Sequence, residues 1–282
     1  MVISTVFGAL FLIAVAGADP PSSSSDASEL PGDQVASESW VPLFNQKDLE
    51  GWTYKETGTA VGEDPSNVVS VRDGRLVLDY AGWDRFEGRF GHLCRRIPHS
   101  DYRIRVVYRF FGEQAPGGPG WAFRNSGIMI HAQDPATMRI DQDFPVSIEV
   151  QLLGGFDDEE IRRPTANLCT PGTNVEIDGR LYTAHCRNSG SQTQPADVWV
   201  TVEVEVRGDR EVIHRVDGRE VMRYRRPQLD SRDRDARAML ERRNGDSRLQ
   251  EGWIALQGES HPVEFKSVEL QVLDPPANTQ KD

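Results

Sequence analysis

The chain has 282 residues, 38% hydrophobic and 27% charged, the balance of an ordinary globular protein. Its formal net charge of −12 argues against nucleic acid as a partner, because an acidic surface repels a phosphate backbone. The arginines gather only at 232–243, where Asp and Glu are interleaved, so no basic patch offsets that charge.

The chain opens on an apolar run, Val6 to Ala16, followed by the small residues Ala16-Gly17-Ala18. This reads as an export signal over residues 1–18, cut before Asp19. The run is too short to span a bilayer comfortably, so no membrane association is expected after cleavage. Residues 19–38, rich in Ser and Pro, read as a disordered polar linker; 39–274 as one β domain; and 275–282 as a disordered tail. The expected location is outside the cytoplasm, periplasmic or secreted.

Within the domain, alternation dominates. Leu76–Tyr80 is a strand candidate, preceded by the turn signal Asp73-Gly74. Tyr102, Ile104, Val106, Tyr108 and Phe110 alternate with mostly basic residues, which predicts a long half-buried strand. Gly112–Gly120 is dense in Gly and Pro and reads as a functional loop, as does the long stretch 154–190. Alternating valines predict a strand over Val198–Val206. Further strands are expected at Glu211–Val216, Glu220–Tyr224, Trp253–Gln257 and Val263–Leu273, with Asp217-Gly218 as a two-residue hairpin. Only Ser231–Arg243 reads as helical. Many short strands with almost no helix argue for a two-sheet sandwich or jelly roll.

Two strands carry the functional signal, Asn125–His131 and Ser147–Leu153. Successive side chains on a strand face opposite ways, so Ile148, Val150 and Leu152 form an apolar face, with Glu149 and Gln151 on the other. Asn125 and His131 share a parity on their own strand, and adjacency of the two strands would merge the polar faces into one site. Gln257, Glu259 and His261 alternate near a later strand end and form a third polar cluster. Trp121 suits either the core or stacking on a sugar ring. Taken singly, each residue reads as ordinary surface or structure; their convergence is the argument for a pocket.

There are three cysteines. An exported protein meets an oxidising compartment, and Cys169 and Cys186 bracket a loop-like stretch, so they are expected to be bonded, with Cys94 a buried free thiol. The rival is a metal site of Cys169, His185 and Cys186, although adjacent His and Cys lack the usual ligand spacing.

The ordered motifs Leu43-Phe44-Asn45-Gln46-Lys47-Asp48-Leu49-Glu50-Gly51-Trp52, Asn125-Ser126-Gly127-Ile128, Ile148-Glu149-Val150-Gln151, Trp199-Val200-Thr201-Val202-Glu203-Val204 and Gly252-Trp253-Ile254-Ala255-Leu256-Gln257-Gly258-Glu259-Ser260-His261-Pro262 resemble the 3-keto-disaccharide hydrolase domain family. The stretch Asn167-Leu168-Cys169-Thr170-Pro171-Gly172-Thr173 to His185-Cys186 looks like a subgroup of it. Two departures are Asp217-Gly218 for the common Asn-Gly, and Cys94 where a larger apolar residue is expected. The resemblance implies a concanavalin A-like jelly-roll sandwich of two antiparallel sheets and cleavage of glycosides oxidised at C3.

In such a sugar the ketone acidifies the C2 hydrogen, and the C1 glycosidic oxygen lies β to it. A base, an electrophile at the C3 oxygen and an acid for the leaving group are needed. Glu149 or His131 is expected as the base. Asn125, Gln151 and Gln257 are expected to bind the sugar or the enolate, and Glu259 and His261 to assist proton delivery, with Trp121 at the sugar. A divalent metal ion held by carboxylate and imidazole is a further expectation, without a diagnostic spacing. The expected partner is a small oligosaccharide or glycoside. One rival is an ordinary glycosidase, whose second acid is absent from the Glu149 strand. Another is a non-catalytic carbohydrate-binding sandwich.

Overall fold

The computed structural model describes residues 39–158, 160–195 and 197–274. The proposed signal, linker and tail, 1–18, 19–38 and 275–282, lie outside the described residues apart from the domain they flank.

Seventeen strands follow in chain order among the described residues. They are β1 Val41–Pro42, β2 Thr53–Glu56, β3 Val69–Arg72, β4 Arg75–Leu78, β5 Gly91–Ile97, β6 Asp101–Phe110, β7 Asn125–Ala132, β8 Ile148–Leu153 and β9 Asn167–Cys169. Then come β10 Thr173–Ile177, β11 Arg180–Tyr182, β12 Cys186–Arg187, β13 Val200–Arg207, β14 Glu211–Val216, β15 Arg219–Leu229, β16 Gly252–Gly258 and β17 Val263–Val272. They form two antiparallel sheets. The larger, ten-stranded sheet runs β11-β10-β15-β14-β13-β6-β17-β4-β3 with β1 beside β17; the smaller, seven-stranded one runs β12-β9-β8-β7-β16-β5-β2. This is the two-layer jelly-roll sandwich.

Alternation builds the core. Ile104, Val106, Tyr108 and Phe110 of β6 and the even-numbered valines of β13 turn inward from the large sheet. Ile128 and Ile130 of β7, Ile148, Val150 and Leu152 of β8, and Ile254 and Leu256 of β16 meet them from the small one. The other face of the large sheet is a ladder of ion pairs, Arg103–Glu205, Arg105–Glu269 and Arg109–Glu264, cross-strand partners that satisfy one another, with Glu205 and Glu264 buried. The helix, α1 Arg234–Arg242, starts where Asp233 accepts the backbone N–H groups of Asp235 and Ala236, and Ala236 seats it on Val146, Leu229 and Leu249.

The stretch 154–190 is not one loop. It contributes β9 and β12 to the edge of the small sheet and β10 and β11 to the edge of the large one. The turn Asp178-Gly179 that closes β10 onto β11 has φ of 52° and 72°, and Asp73-Gly74 and Asp217-Gly218 repeat the form. Two consecutive positive φ values are what a two-residue hairpin twisted to match its strands requires. Val198 lies outside β13 and is exposed, since the strand pairing with β6 begins at Val200.

Gly218, at φ 78°, has nothing within 4 Å of where a Cβ would stand, so replacing it tests the backbone alone. Gly218→Ala is expected to cost about 1–2 kcal/mol through the left-handed conformation, read as a lower urea midpoint with unchanged slope.

Candidate functional site

The register of the small sheet sets one row of side chains across six strands. Lys55 pairs with His92, His92 with Gln257, Gly127 with Gln151 and Gln151 with Asn167. The Leu256–Ile128 pairing, continued by one residue, sets Gln257 beside Gly127. Because the alternate residues of these strands fill the core, this row faces away from it. The next row holds Cys94, Ala255, Met129, Glu149 and Cys169. Cys94, Ala255 and Met129 form a small apolar cluster under Phe144 and Trp253, which leaves the carboxyl of Glu149 at its border.

Gly127 is the gap in the polar row. A Cβ there would stand 2.8 Å from Gln257 Oε1 and 2.9 Å from both Glu149 Cγ and Glu149 Oε1. The missing side chain therefore lets Gln257 and Glu149 close over the same spot. Beside it opens a cavity of about 390 Å³ lined by Trp121, Asn125, Glu149, Gln151 and Glu259, with Phe144, Pro171, His185 and the Cys169–Cys186 disulfide on the far side.

Both glutamates are buried, at 6% and 2% exposure. Glu149 Oε1 and Glu259 Oε2 have no hydrogen-bond partner among the described residues. Burial raises the Glu149 carboxyl to about 8. Glu259 is pushed well above the usual carboxylate range, by burial first and then by the Glu149 charge, with Arg163 pulling weakly the other way. Two carboxyls on one cavity out of water cannot both ionise readily, so the pair retains a proton where ordinary carboxylates have lost theirs.

Arg163 braces this arrangement. Its guanidinium donates to the carbonyls of Arg124 and Gly154 and, at 3.3 Å, to that of Trp121, and it lies over the Phe156 ring. Asn125 Nδ2 also donates to the Trp121 carbonyl, at 3.3 Å, which leaves Asn125 Oδ1 without a partner among the described residues. Trp121 itself is 55% exposed and stacks on Phe90. Gln151 Oε1 accepts from Asn167 Nδ2 at 3.0 Å, which turns the Gln151 amide.

Five residues expected at the site, Trp121, Asn125, Glu149, Gln151 and Glu259, are thus brought together. Three are not. The shared parity of Asn125 and His131 fails at a β-bulge: Met129 pairs with Ala255 but Ala132 with Trp253, so two residues oppose one, and His131 sits at φ 50°. Its imidazole lines a different cavity with Arg96, Arg243 and Trp253. Gly252, whose Cβ would stand 2.7 Å from the His131 carbonyl carbon, is the sequence signal of that close approach. His261 is buried edge-on against Phe110 and Phe123, and burial lowers it to about 4, with Arg124 and Arg163 adding to the shift. Gln257 is fully buried beneath the site between His92 and Glu149 rather than at the cavity wall.

The cysteines pair as expected, Cys169 with Cys186 on facing positions of β9 and β12, and Cys94 is free and buried. That bond removes the alternative of Cys169, His185 and Cys186 as metal ligands. Among the described residues no three His, Cys, Asp or Glu side chains gather closely enough to hold a metal ion, and neither His131 nor His261 lines the cavity of Glu149. Alternation alone pointed to neither Arg163 nor Phe144, which lie in irregular segments.

The model of the 3-keto-α-glucoside-1,2-lyase-like domain matches residues 39–271. The chain belongs to this family. Membership ties this 3-keto-α-glucoside-1,2-lyase-like domain to carbohydrate chemistry. No curated protein matches it. Among solved structures, a candidate glycosyl hydrolase from Parabacteroides distasonis is 18% identical, covering 83% of this chain and 94% of its own, at a TM-score of 0.46. The VIP36 exoplasmic/lumenal domain bound to Ca²⁺ and mannose is 11% identical, over 88% and 94%, at 0.48. The carbohydrate-binding module CBM66 from Bacillus subtilis is 12% identical, over 78% and 95%, at 0.39.

The raised Glu149 carboxyl makes a stability prediction for the lyase-like domain. The folded state holds a proton there that the unfolded chain has released, so its contribution is complete below the unfolded value of about 4.3 and is lost as pH rises through about 8. Glu149→Gln is therefore expected to raise the thermal midpoint at pH 8–9 and to leave it nearly unchanged near pH 4, as read by calorimetry across that range. Gly127→Ala is expected to keep the native circular dichroism, since that backbone is not left-handed, and to displace Glu149, whose Cγ and Oε1 would stand 2.9 Å from the new Cβ, read as a weaker pH dependence of the thermal midpoint.

Proposed function

We propose that this protein cleaves 3-keto-glycosides by elimination across C1–C2 followed by hydration, giving net hydrolysis. The observation that carries this reading is a pair of buried carboxyls on one cavity, both held above the usual carboxylate range by burial; in this reading Glu149 ionises first and Glu259 keeps its proton. Glu149 as carboxylate removes the C2 proton. The electron pair forms the C1–C2 double bond by way of the C3 enolate, and the C1–O bond breaks. Glu259 gives its proton to the departing oxygen. Water then adds at C1 of the unsaturated ketone, C2 takes back a proton from Glu149, and the water's surplus proton restores Glu259.

The remaining groups have roles that fit their bonds. The Asn167 donor occupies Gln151 Oε1, so the Gln151 amide N–H groups serve as donors to the enolate oxygen. Asn125 Oδ1 accepts a sugar hydroxyl, and the exposed Trp121 offers a flat apolar face to the ring. Gln257 and His92, buried behind Glu149, position it; burial lowers His92 to about 3, so it stands there as a neutral imidazole. The disulfide suits an exported protein, periplasmic or secreted, meeting a small oligosaccharide or glycoside.

A second reading draws on the same pair. Glu259 supplies, from the end of β16, the second acid that the Glu149 strand lacks, which would suit an ordinary glycosidase. Both readings use Glu149 ionised; its raised basicity favours taking a proton from carbon over acting as a nucleophile or leaving group at C1. Turnover of the unoxidised glucoside would decide for that reading, and tight sugar binding without any product would decide for a binding module.

With a 3-keto-glucoside, Glu149→Gln is expected to lower kcat by about 10²–10⁴-fold in a folded protein. In the unmodified protein kcat/KM is expected to rise with pH as Glu149 ionises, up to about 8, and to fall again above it as Glu259 loses its proton. A flat profile would remove the carboxyl pair from the chemistry.

A further inference from the structure

A second cavity, of about 360 Å³, adjoins the first, and the two share Phe144, Pro171 and His185 in their walls. His185 therefore stands at the joint of two hollows, one holding the carboxyl pair and the other running toward Arg139 and the start of α1. Its own anchorage is slight. It precedes β12, a two-residue strand at the sheet edge whose residues are exposed. It is held by bonds from the Thr170 N–H and Oγ1 to its carbonyl at 2.9 and 3.2 Å and by the disulfide at the next residue, with the Tyr182 hydroxyl bonded to the Cys186 carbonyl and Thr170 Oγ1 to that of Ala184 on either side. The disulfide leads straight back to the site, because Cys169 is the cross-strand partner of Glu149.

We propose that His185 is a specificity-determining residue that contacts the leaving group where it crosses from the carboxyl pair into the second cavity, and that the Cys169–Cys186 bond is its positioning device. A short exposed edge strand opens locally at little cost, so without the bond the imidazole leaves the joint while the sandwich stays folded. Cys186 is exposed, so a reductant can reach the bond. The inference rests on the elimination reading and adds to it a group that acts on the leaving group rather than on the keto sugar.

The test compares two 3-keto-glucosides on the full chain, one with a sugar as leaving group and one with 4-nitrophenol, which departs without help. His185→Ala is expected to lower kcat/KM about tenfold or more for the sugar leaving group and less than about twofold for 4-nitrophenol. The Cys169→Ala/Cys186→Ala protein is expected to show the same selective loss, and to lose nothing further when His185→Ala is added, because the bond acts through that residue. Mild reduction of the unmodified protein should reproduce the loss and reoxidation should reverse it, which serves if the double variant does not fold. Equal losses for both leaving groups, or a full additional loss when the changes are combined, would overturn the proposal. If the unmodified protein turns over neither substrate, the elimination reading has failed on its own. The inference is then judged by calorimetric binding of the 3-keto-disaccharide to Glu149→Gln protein, where the same selective and non-additive pattern is required against binding of the 3-keto-monosaccharide.

Discussion

Burying two carboxyls against one another works against folding, and the arrangement of the small sheet follows from having to hold them there. Out of water, a carboxyl without hydrogen-bond partners is held only if it stays neutral or finds a charge nearby. Glu149 comes from β8 and Glu259 follows directly on β16, and the core behind them, built from the alternate residues of those strands, holds both in place. A slip of one residue in β8 would turn Glu149 into the core and Val150 out of it. The apolar face thus secures the polar one, and the loss of stability at the site is offset by packing on its reverse side.

That coupling explains how much was legible in the sequence. Where alternation is uninterrupted, as in β6, β8 and β13, both the strand and the direction of each side chain were readable, and Glu149 and Gln151 face the cavity as their parity requires. The reading failed at His131, because a bulge adds one residue and reverses every later parity, and a two-residue period has no means of announcing this in advance. It also failed for His261 and Gln257: alternation assigns a face but does not say which part of the face is covered, and both are roofed over. The segment 154–190 was misjudged in length because its four strands are each five residues or shorter, too brief to show a period.

The two outward faces of the sandwich contrast. The large sheet carries Arg and Glu in matched cross-strand pairs, each charge answered by a neighbour, with Glu205 and Glu264 themselves buried. The partly exposed pair Arg105–Glu269 contributes little stability, about 0–1 kcal/mol. The small sheet carries amides, imidazoles and carboxyls whose partners are incomplete, shielded by Phe144 and the disulfide-bonded β9–β12 edge. Polar side chains without hydrogen-bond partners among the described residues are thus concentrated on the face that carries the cavity.

Arg163 gives this face a mechanical property. One guanidinium grips carbonyls from the Trp121 turn, the residue before β7 and the residue after β8, reinforcing the strand pairing and the Gly154 N–H to Arg124 carbonyl bond that already join them. Thermal jostling of any one is handed to the others, so the indole platform and the strand ends beneath it drift in concert. The spacing a sugar ring would meet is then preserved even while its surroundings breathe.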